Sequence, residues 1–241
     1  MQICFGMDKG KVRATNQDAF KTEMLDGNTC LAVVCDGMGG ANAGNVASST
    51  AVKSIVRYVS NSYRKDFDGF KISDLLKNAV ISANIELYGM SVSNPSYKGM
   101  GTTVVAAIIK DNVAYICNVG DSRAYLVNGE LTQITKDHSV VQSLIESGKL
   151  TAEQARVHPD KNVITKALGV DENILPDNFV QELCLGDTIL ICTDGLTNYV
   201  EPEDILKILK KNEVKKVADT LIDTANSNGG GDNITVVTVT V

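Results

Sequence analysis

The sequence predicts an α+β fold in which antiparallel β-sheets are covered by helices. Helical periodicity occupies residues 43–59, 72–87, 202–211 and 214–226. Each of these segments repeats apolar residues at three- and four-residue spacing, as in a helix with one buried face. Runs rich in β-branched residues lie mainly between the two helix pairs. Because these runs do not alternate regularly with helices, antiparallel pairing is favoured over a parallel sheet.

The strand candidates are short and are separated by turn residues. They read TVVAAIIK, AYICNVG, SRAYLV, TILICT and NITVVTVTV. The first two are joined only by Asp111 and Asn112, which predicts a β-hairpin. A second tight reversal is expected at Gly120 and Asp121. The length suits one large globular domain or at most two small ones, and we expect a single domain over residues 1–241.

Residues 136–171 follow neither pattern, because short helical stretches alternate there with glycine and proline. Irregular segments that lie over a rigid scaffold often carry binding residues. We therefore expect a largely helical excursion over the surface, which would act as a lid or a recognition flap.

Composition argues against several classes of protein. The 241 residues carry a net charge of −6, and no apolar run approaches the ~18 residues of a membrane helix. We expect no nucleic-acid partner and no membrane span. The N-terminus lacks the layout of a signal peptide, so a cytoplasmic protein is expected. The six cysteines form no CxxC pair and lie mostly in apolar runs, and the two histidines are too few for an imidazole-based metal site.

Acidic residues recur at the ends of predicted strands. Asp36 ends the apolar run LAVVC and is followed by Gly37, and Asp194 ends TILICT in the same way. The other three are Asp18 in ATNQDAF, Asp121 in VGDSRAYLV and Asp232 in GGGDNITVV. Buried carboxylates are costly unless they are paired or bind a metal, and oxygen ligands suit Mg²⁺ or Mn²⁺. The set indicates a metal site, where Gly37 would let a backbone carbonyl approach the ion.

Each aspartate taken singly has a simpler explanation, because Asp-Gly is a common turn signal. Known phosphate- and nucleotide-binding loops do not fit this chain. Gly39 and Gly44 have P-loop spacing, but Asn45 follows where a lysine is required. Asn42 takes the place of the third glycine in GxGxxG, and no GxSxG marks a serine hydrolase.

Eight motifs follow one another over nearly the whole chain. They are RATNQDAF, VVCDGMGGANAG, GMGTTVVAA, NVGDSRAYLV, TKDHS, TKALG, ICTDGLTN and GGGDNITVV. Together they resemble the metal-dependent protein phosphatases of type 2C, the PPM family, in its compact bacterial form. The resemblance implies a sandwich of two antiparallel β-sheets flanked by antiparallel helix pairs. It also implies a protein-serine/threonine phosphatase that reverses the action of a kinase in bacterial signalling.

The resemblance further implies a centre of two Mn²⁺ or Mg²⁺ ions at one end of the sandwich. Asp36 would bridge both ions. The carbonyl of Gly37 would bind one ion, and Asp194 and Asp232 would bind the other. A hydroxide between the two ions would attack phosphorus directly, without a covalent phosphoenzyme.

Other residues take supporting roles by the same resemblance. Asp18 would act on the ions through bound water, and Arg13 would bind two phosphoryl oxygens with its guanidinium fork. Asn233 would orient the region around Asp232. Asp121 would bind a third ion at a weaker site beside Asp194.

Two departures from the family pattern bear on this site. Some relatives carry a histidine directly after Asp-Gly as a general acid, but this chain has Met38 there. Metal-bound water is then the best proton source, His138 is a weak candidate, and His158 is expected to be structural. In place of GGHxxGE the chain reads GGANAGN, with Ala41 and Asn45. We expect altered local packing from this second departure, not lost catalysis.

The expected partners are phosphorylated proteins and a cognate Ser/Thr kinase, and the chain is expected to be a monomer. Two alternatives stay open. One is a binding module that kept the fold and lost its metals, against which the five aspartates and Arg13 argue. The other is a different two-metal phosphoester hydrolase, such as a small-molecule phosphatase, which a panel of phosphothreonine peptides would distinguish.

Overall fold

Two antiparallel sheets form the centre of the protein, seen in a computed structural model that describes residues 1–40 and 43–241. In spatial order the first sheet contains β1 (Gln2–Asp8), β11 (Ile234–Thr240), β10 (Thr188–Cys192), β7 (Arg123–Val127) and β8 (Leu131–Gln133). The second contains β2 (Asp18–Asp26), β3 (Thr29–Met38), β5 (Val104–Lys110), β6 (Val113–Val119) and β9 (Asp177–Glu182). The short strand β4 (Gly101–Thr102) pairs with the end of β3. The predicted α+β class with antiparallel sheets is confirmed.

Helix pairs cover the outer faces of both sheets. The helices are α1 (Ala43–Ser62), α2 (Gly69–Ser93), α3 (Val140–Glu146), α4 (Ala152–Arg156), α5 (Asp194–Thr197), α6 (Pro202–Lys211) and α7 (Val214–Ser227). All four predicted helices are present. The second extends beyond the predicted residues 72–87 at both ends, and Asp68 caps its first turn by accepting the N–H of Lys71 at 2.9 Å.

Three apolar layers hold the helices and sheets together. One lies between α1, α2 and the second sheet, another between α6, α7 and the first sheet, and the third between the two sheets. In β3, Leu31 and Val33 face the helices while Ala32 and Val34 face the other sheet. Both faces of this strand are therefore buried, which explains why LAVVC is a continuous apolar run.

The two predicted turns have different roles. Asp111 and Asn112 have positive φ angles of 50° and 59° and join β5 to β6, which confirms the hairpin. Gly120 and Asp121 follow β6 of the second sheet and lead to β7 of the first sheet. Asp121 therefore lies where the chain crosses between the sheets, and not in a hairpin within one sheet.

The flap, residues 136–171, is less helical than expected. It contains only the short helices α3 and α4, and isolated bridges attach Ser139 to Ile164 and Leu168 to Thr102. Gly148, with a φ of 70°, follows α3, and Pro159 follows α4. Both residues interrupt helical backbone, so the prediction of a largely helical excursion is wrong. Within the described parts of the chain, no helix is long and apolar enough to cross a membrane.

Candidate active site

Carboxylates from both sheets meet at one end of the sandwich. Asp36 lies near the end of β3, and Asp18 opens β2 directly opposite it in the antiparallel ladder. In the other sheet, Asp194 comes just after β10 and Asp232 comes just before β11, two neighbouring strands. Asp121 joins them from the crossing between the sheets. The structure thus brings together all five aspartates that the sequence singled out.

The shared location raises the pKa values of Asp18, Asp36, Asp121 and Asp194. Burial raises the pKa of Asp36 well above its ordinary value, and the charges of the other four carboxylates raise it further. Burial also raises the pKa of Asp18 to about 7, that of Asp121 to about 8 and that of Asp194 to about 6. Nearby like charges and loss of solvation both disfavour bare carboxylates, so a cation in the cluster would relieve both effects.

Two oxygen atoms in the cluster have the environment that a metal ligand needs. Oδ1 of Asp18 and Oδ1 of Asp194 are buried and have no hydrogen-bond partner. An unpartnered carboxylate oxygen is costly, and a hard cation such as Mn²⁺ or Mg²⁺ would satisfy it. The donor set therefore fits divalent cations.

Asp232 differs from Asp18 and Asp194, because both of its carboxylate oxygens accept hydrogen bonds. Its Oδ1 accepts the backbone N–H of Asn233 at 2.8 Å, and its Oδ2 accepts from Nη2 of Arg13 at 2.8 Å. Within residues 1–40 and 43–241, no three carboxylate, imidazole or thiol groups are arranged as a ready coordination group.

Threonines hold the side chain of Asp18 and the backbone of Asp36 in place, and sequence reasoning missed them. Oδ2 of Asp18 accepts from the hydroxyls of Thr193 and Thr235 at 3.0 and 2.6 Å, which attaches it to the other sheet. The hydroxyl of Thr103 accepts the N–H of Asp36 at 3.0 Å, and the Thr103 N–H donates to the Asp36 carbonyl at 2.8 Å. The available signal was position, since each threonine belongs to one of the motifs.

Gly37 is required by a close approach of backbone segments. Its N–H donates to the carbonyl of Gln17 at 3.0 Å, and a Cβ atom at this position would collide with the carbonyl of Gly44. The glycine after Asp36 therefore lets the start of α1 pack on the end of β3. Asn45 lies exposed in the first turn of α1, while Ala41 is outside the described residues.

Arg13 and a large cleft border the carboxylates. The Arg13 side chain is 53% exposed, and its hydrogen bond to Asp232 raises its pKa. A cleft of about 700 Å³ extends from Asp121 and Asp194 between the flap and the segment of α5 and α6. Residues from both sides line it, including Arg123, Val157 and Glu201. The flap thus lies beside the site, as expected for a recognition element.

The two histidines serve the fold. Nδ1 of buried His138 accepts the N–H of Gly120 at 3.0 Å, and its Nε2 lies 3.3 Å from Oδ2 of Asp177. Burial lowers the pKa of His138. His158 accepts the N–H of Asp160 at 3.1 Å within a turn. Neither ring lines the described cleft, so His138 is poorly placed to donate a proton there.

Comparison with known proteins identifies the family. The family model for protein phosphatase 2C matches residues 6–230. The chain belongs to the protein phosphatase 2C family. The serine/threonine phosphatase stp of Listeria monocytogenes is 40% identical over 244 residues, which is 99% of this chain and 95% of that protein. The serine/threonine protein phosphatase PstP of Mycobacterium tuberculosis is 37% identical over 97% of this chain and 44% of its own length.

Solved structures of this family share the fold. The structure of Stp1 from Staphylococcus aureus superposes with a TM-score of 0.94 at 36% identity and covers 100% of this chain and 94% of its own. The Mycobacterium tuberculosis phosphatase PstP/Ppp has a TM-score of 0.90 at 36% identity, with 100% and 98% covered. The catalytic domain of PstP solved with two manganese ions has a TM-score of 0.86 at 34% identity, with 98% and 96% covered. The expected sandwich with flanking helix pairs is confirmed.

Proposed function

We propose that this member of the protein phosphatase 2C family hydrolyses phosphoserine and phosphothreonine in proteins and requires divalent cations. The observation that carries the proposal is the cluster of five aspartates, in which one buried oxygen each of Asp18 and Asp194 is unpartnered. The names of its relatives support the reaction, since they are serine/threonine phosphatases. The manganese ions in the related PstP domain support the cofactor.

The aspartates divide into three groups by their proposed role. The core ions would be held by Asp36, the carbonyl of Gly37, Asp194 and Asp232. Asp18 would act through water, and Asp121 would hold a third ion with Asp194. When bound, Mn²⁺ or Mg²⁺ supplies Lewis acidity, which activates water near neutral pH and offsets phosphoryl charge.

Arg13 would bind the phosphoryl group. A guanidinium has five N–H donors, and one nitrogen of Arg13 is occupied by Asp232. The remaining donors on this half-exposed side chain are available to two phosphoryl oxygens in a fork. Because Asp232 fixes the head group, a phosphate held by Arg13 lies directly beside the carboxylate cluster.

The flap would select among protein substrates, since it forms one wall of the cleft that leads to Asp121 and Asp194.

We also propose that phosphorylated proteins are the partners and that a cognate Ser/Thr kinase opposes the enzyme. The enzyme would work in the cytoplasm as a monomer. The bacterial origin of the named relatives supports a role in bacterial signalling. Phosphoproteomics of a deletion strain would identify the substrates.

The test is phosphate release from phosphothreonine peptides and from p-nitrophenyl phosphate. We expect release from both with Mn²⁺, loss in excess EDTA and recovery when Mn²⁺ is restored. Asp74→Asn should keep full activity and is the matched control for the aspartate substitutions described below, because Asp74 is exposed on α2. Full activity in excess EDTA would contradict the proposal, and hydrolysis of p-nitrophenyl phosphate without any phosphopeptide would favour a small-molecule phosphatase.

A further inference from the structure

One buried amide anchors the loop that carries Arg13. Residues 9–17 connect β1 to β2, and the side chain of Asn233, only 4% exposed, forms three hydrogen bonds with this loop. Its Nδ2 donates to the carbonyls of Lys9 at 2.9 Å and Thr15 at 3.0 Å. Its Oδ1 accepts the N–H of Gln17 at 2.8 Å. Arg13 lies between these anchor points.

The same residue also contacts the carboxylate that Arg13 binds. The backbone N–H of Asn233 donates to Oδ1 of Asp232 at 2.8 Å, while Oδ2 of Asp232 accepts from Arg13 at 2.8 Å. The side chain of Asn233 therefore sets the position of the loop, and its backbone sets the position of Asp232. The family resemblance implied that Asn233 orients the region around Asp232, and the structure adds its contacts with the Arg13 loop.

We propose that Asn233 is a positioning residue for substrate phosphate, which holds the Arg13 loop at the correct distance from Asp232. The inference rests on the proposed phosphatase function. A buried side chain that forms hydrogen bonds with three backbone groups of a loop makes that loop more rigid. A preorganised arginine binds an anion more tightly, because less freedom is lost on binding.

The loop should remain attached when Asn233 is replaced. Lys11 still donates its N–H to the carbonyl of Gly230 at 2.7 Å, and the carbonyl of Gln17 still accepts from Gly37 and Ser48 at 3.0 and 2.6 Å. Asn233→Ala should therefore fold and loosen mainly the middle of the loop, where Arg13 lies.

The experiment measures steady-state kinetics on p-nitrophenyl phosphate and inhibition by inorganic phosphate. We expect Asn233→Ala to raise KM and the inhibition constant of phosphate roughly tenfold, about the contribution of one charge-assisted hydrogen bond. The Mn²⁺ concentration for half-maximal activity should stay within about twofold. In an Arg13→Ala background, Asn233→Ala should change phosphate inhibition less than about twofold, because the two residues act as a unit.

Asn84→Ala is a matched control. Asn84 is 1% exposed, its Nδ2 donates to the carbonyls of Asp171 and Glu172, and its Oδ1 accepts the N–H of Gly169. This variant loses the same three kinds of hydrogen bond, but to residues 169–172 and not to the Arg13 loop. We expect a comparable loss of thermal stability with unchanged inhibition by phosphate.

Hydrogen–deuterium exchange provides a readout that does not depend on catalysis. Exchange should increase in residues 9–17 for Asn233→Ala and in residues 169–172 for Asn84→Ala. Equal phosphate inhibition in wild type and folded Asn233→Ala would overturn the inference. So would an effect of Asn233→Ala on phosphate inhibition that is as large in the Arg13→Ala background as in wild type. If wild type releases no phosphate from any substrate, the proposed function fails, and unchanged exchange in residues 9–17 would separately refute the anchoring role.

Discussion

Replacing Asp18 by asparagine should stabilise the metal-free protein. Oδ2 of Asp18 already accepts from Thr193 and Thr235, while its buried Oδ1 has no partner. An asparagine would keep both hydrogen bonds through its carbonyl oxygen. Its NH₂ group would take the place of the unpartnered oxygen and would set N–H dipoles, in place of a negative charge, among the carboxylates whose charges act on Asp18 and Asp36. The substitution thus removes a buried charge without removing a hydrogen bond.

The magnitude follows from the raised pKa of Asp18. Burial, the largest cause, and the charges of Asp194 and Asp232 raise it from 3.8 to about 7. At about 1.4 kcal/mol per pKa unit, the ionised carboxylate costs on the order of 4 kcal/mol above pH 7. Because neighbouring carboxylates share protons, we expect Asp18→Asn to raise the free energy of unfolding by about 2 kcal/mol at pH 8.

The pH dependence has a definite sign. Between about pH 4 and pH 7 folded Asp18 holds a proton that the unfolded chain has released, so the stability of wild type falls as pH rises through this window and then levels off. The advantage of Asp18→Asn should therefore grow from pH 5 to pH 8. Urea unfolding of both proteins in EDTA at these two pH values measures it, with Asp74→Asn as the control. A variant that is less stable than wild type at pH 8 would refute the reasoning.

Four further substitutions test the proposed roles. Asp36→Asn and Asp194→Asn should each fold, as circular dichroism would show. With Mn²⁺, kcat should fall roughly a hundredfold or more in each variant. If either variant kept wild-type turnover, the replaced aspartate would not be a metal ligand. Asp121→Ala should lower kcat more for a phosphothreonine peptide than for p-nitrophenyl phosphate, because p-nitrophenolate leaves without a proton; equal losses, or loss by unfolding in a thermal melt, would leave Asp121 as a turn residue. Val157→Asp, at a flap position 83% exposed, should reorder a phosphopeptide panel more than it changes hydrolysis of p-nitrophenyl phosphate, and a uniform effect would indicate a structural role only.

Much of the fold could be predicted because local patterns agree with tertiary packing. The apolar stripe of residues 202–211 marks α6 correctly at both ends, since proline starts the helix and lysines end it. The turn at Asp111 and Asn112 requires positive φ, which asparagine and aspartate tolerate. The flap could not be predicted in the same way, because tertiary contacts such as those of Asn84 hold its irregular backbone.

The site divides along similar lines. The five aspartates could be predicted as a set, because each stands at a strand end beside glycine, asparagine or a turn. The roles of Thr193 and of the Asn233 amide could not be predicted, because their partners are distant in sequence. Thr193 is 175 residues from Asp18. Asn233 is more than 200 residues from its partners Lys9, Thr15 and Gln17. The contact of Asn198 Nδ2 with Oδ2 of Asp194 at 2.9 Å is local, and Asn198 ends the motif ICTDGLTN, but sequence reasoning assigned this asparagine no role.

The most direct test of the metal assignment is anomalous diffraction from crystals soaked in Mn²⁺. Manganese peaks should appear at the end of the sandwich within coordination distance of Asp36, Asp194 and Asp232, with one peak also within reach of the carbonyl of Gly37. Asp36→Asn crystals under the same conditions should lose these peaks. Manganese bound only elsewhere, or an unchanged pattern in Asp36→Asn, would contradict the account.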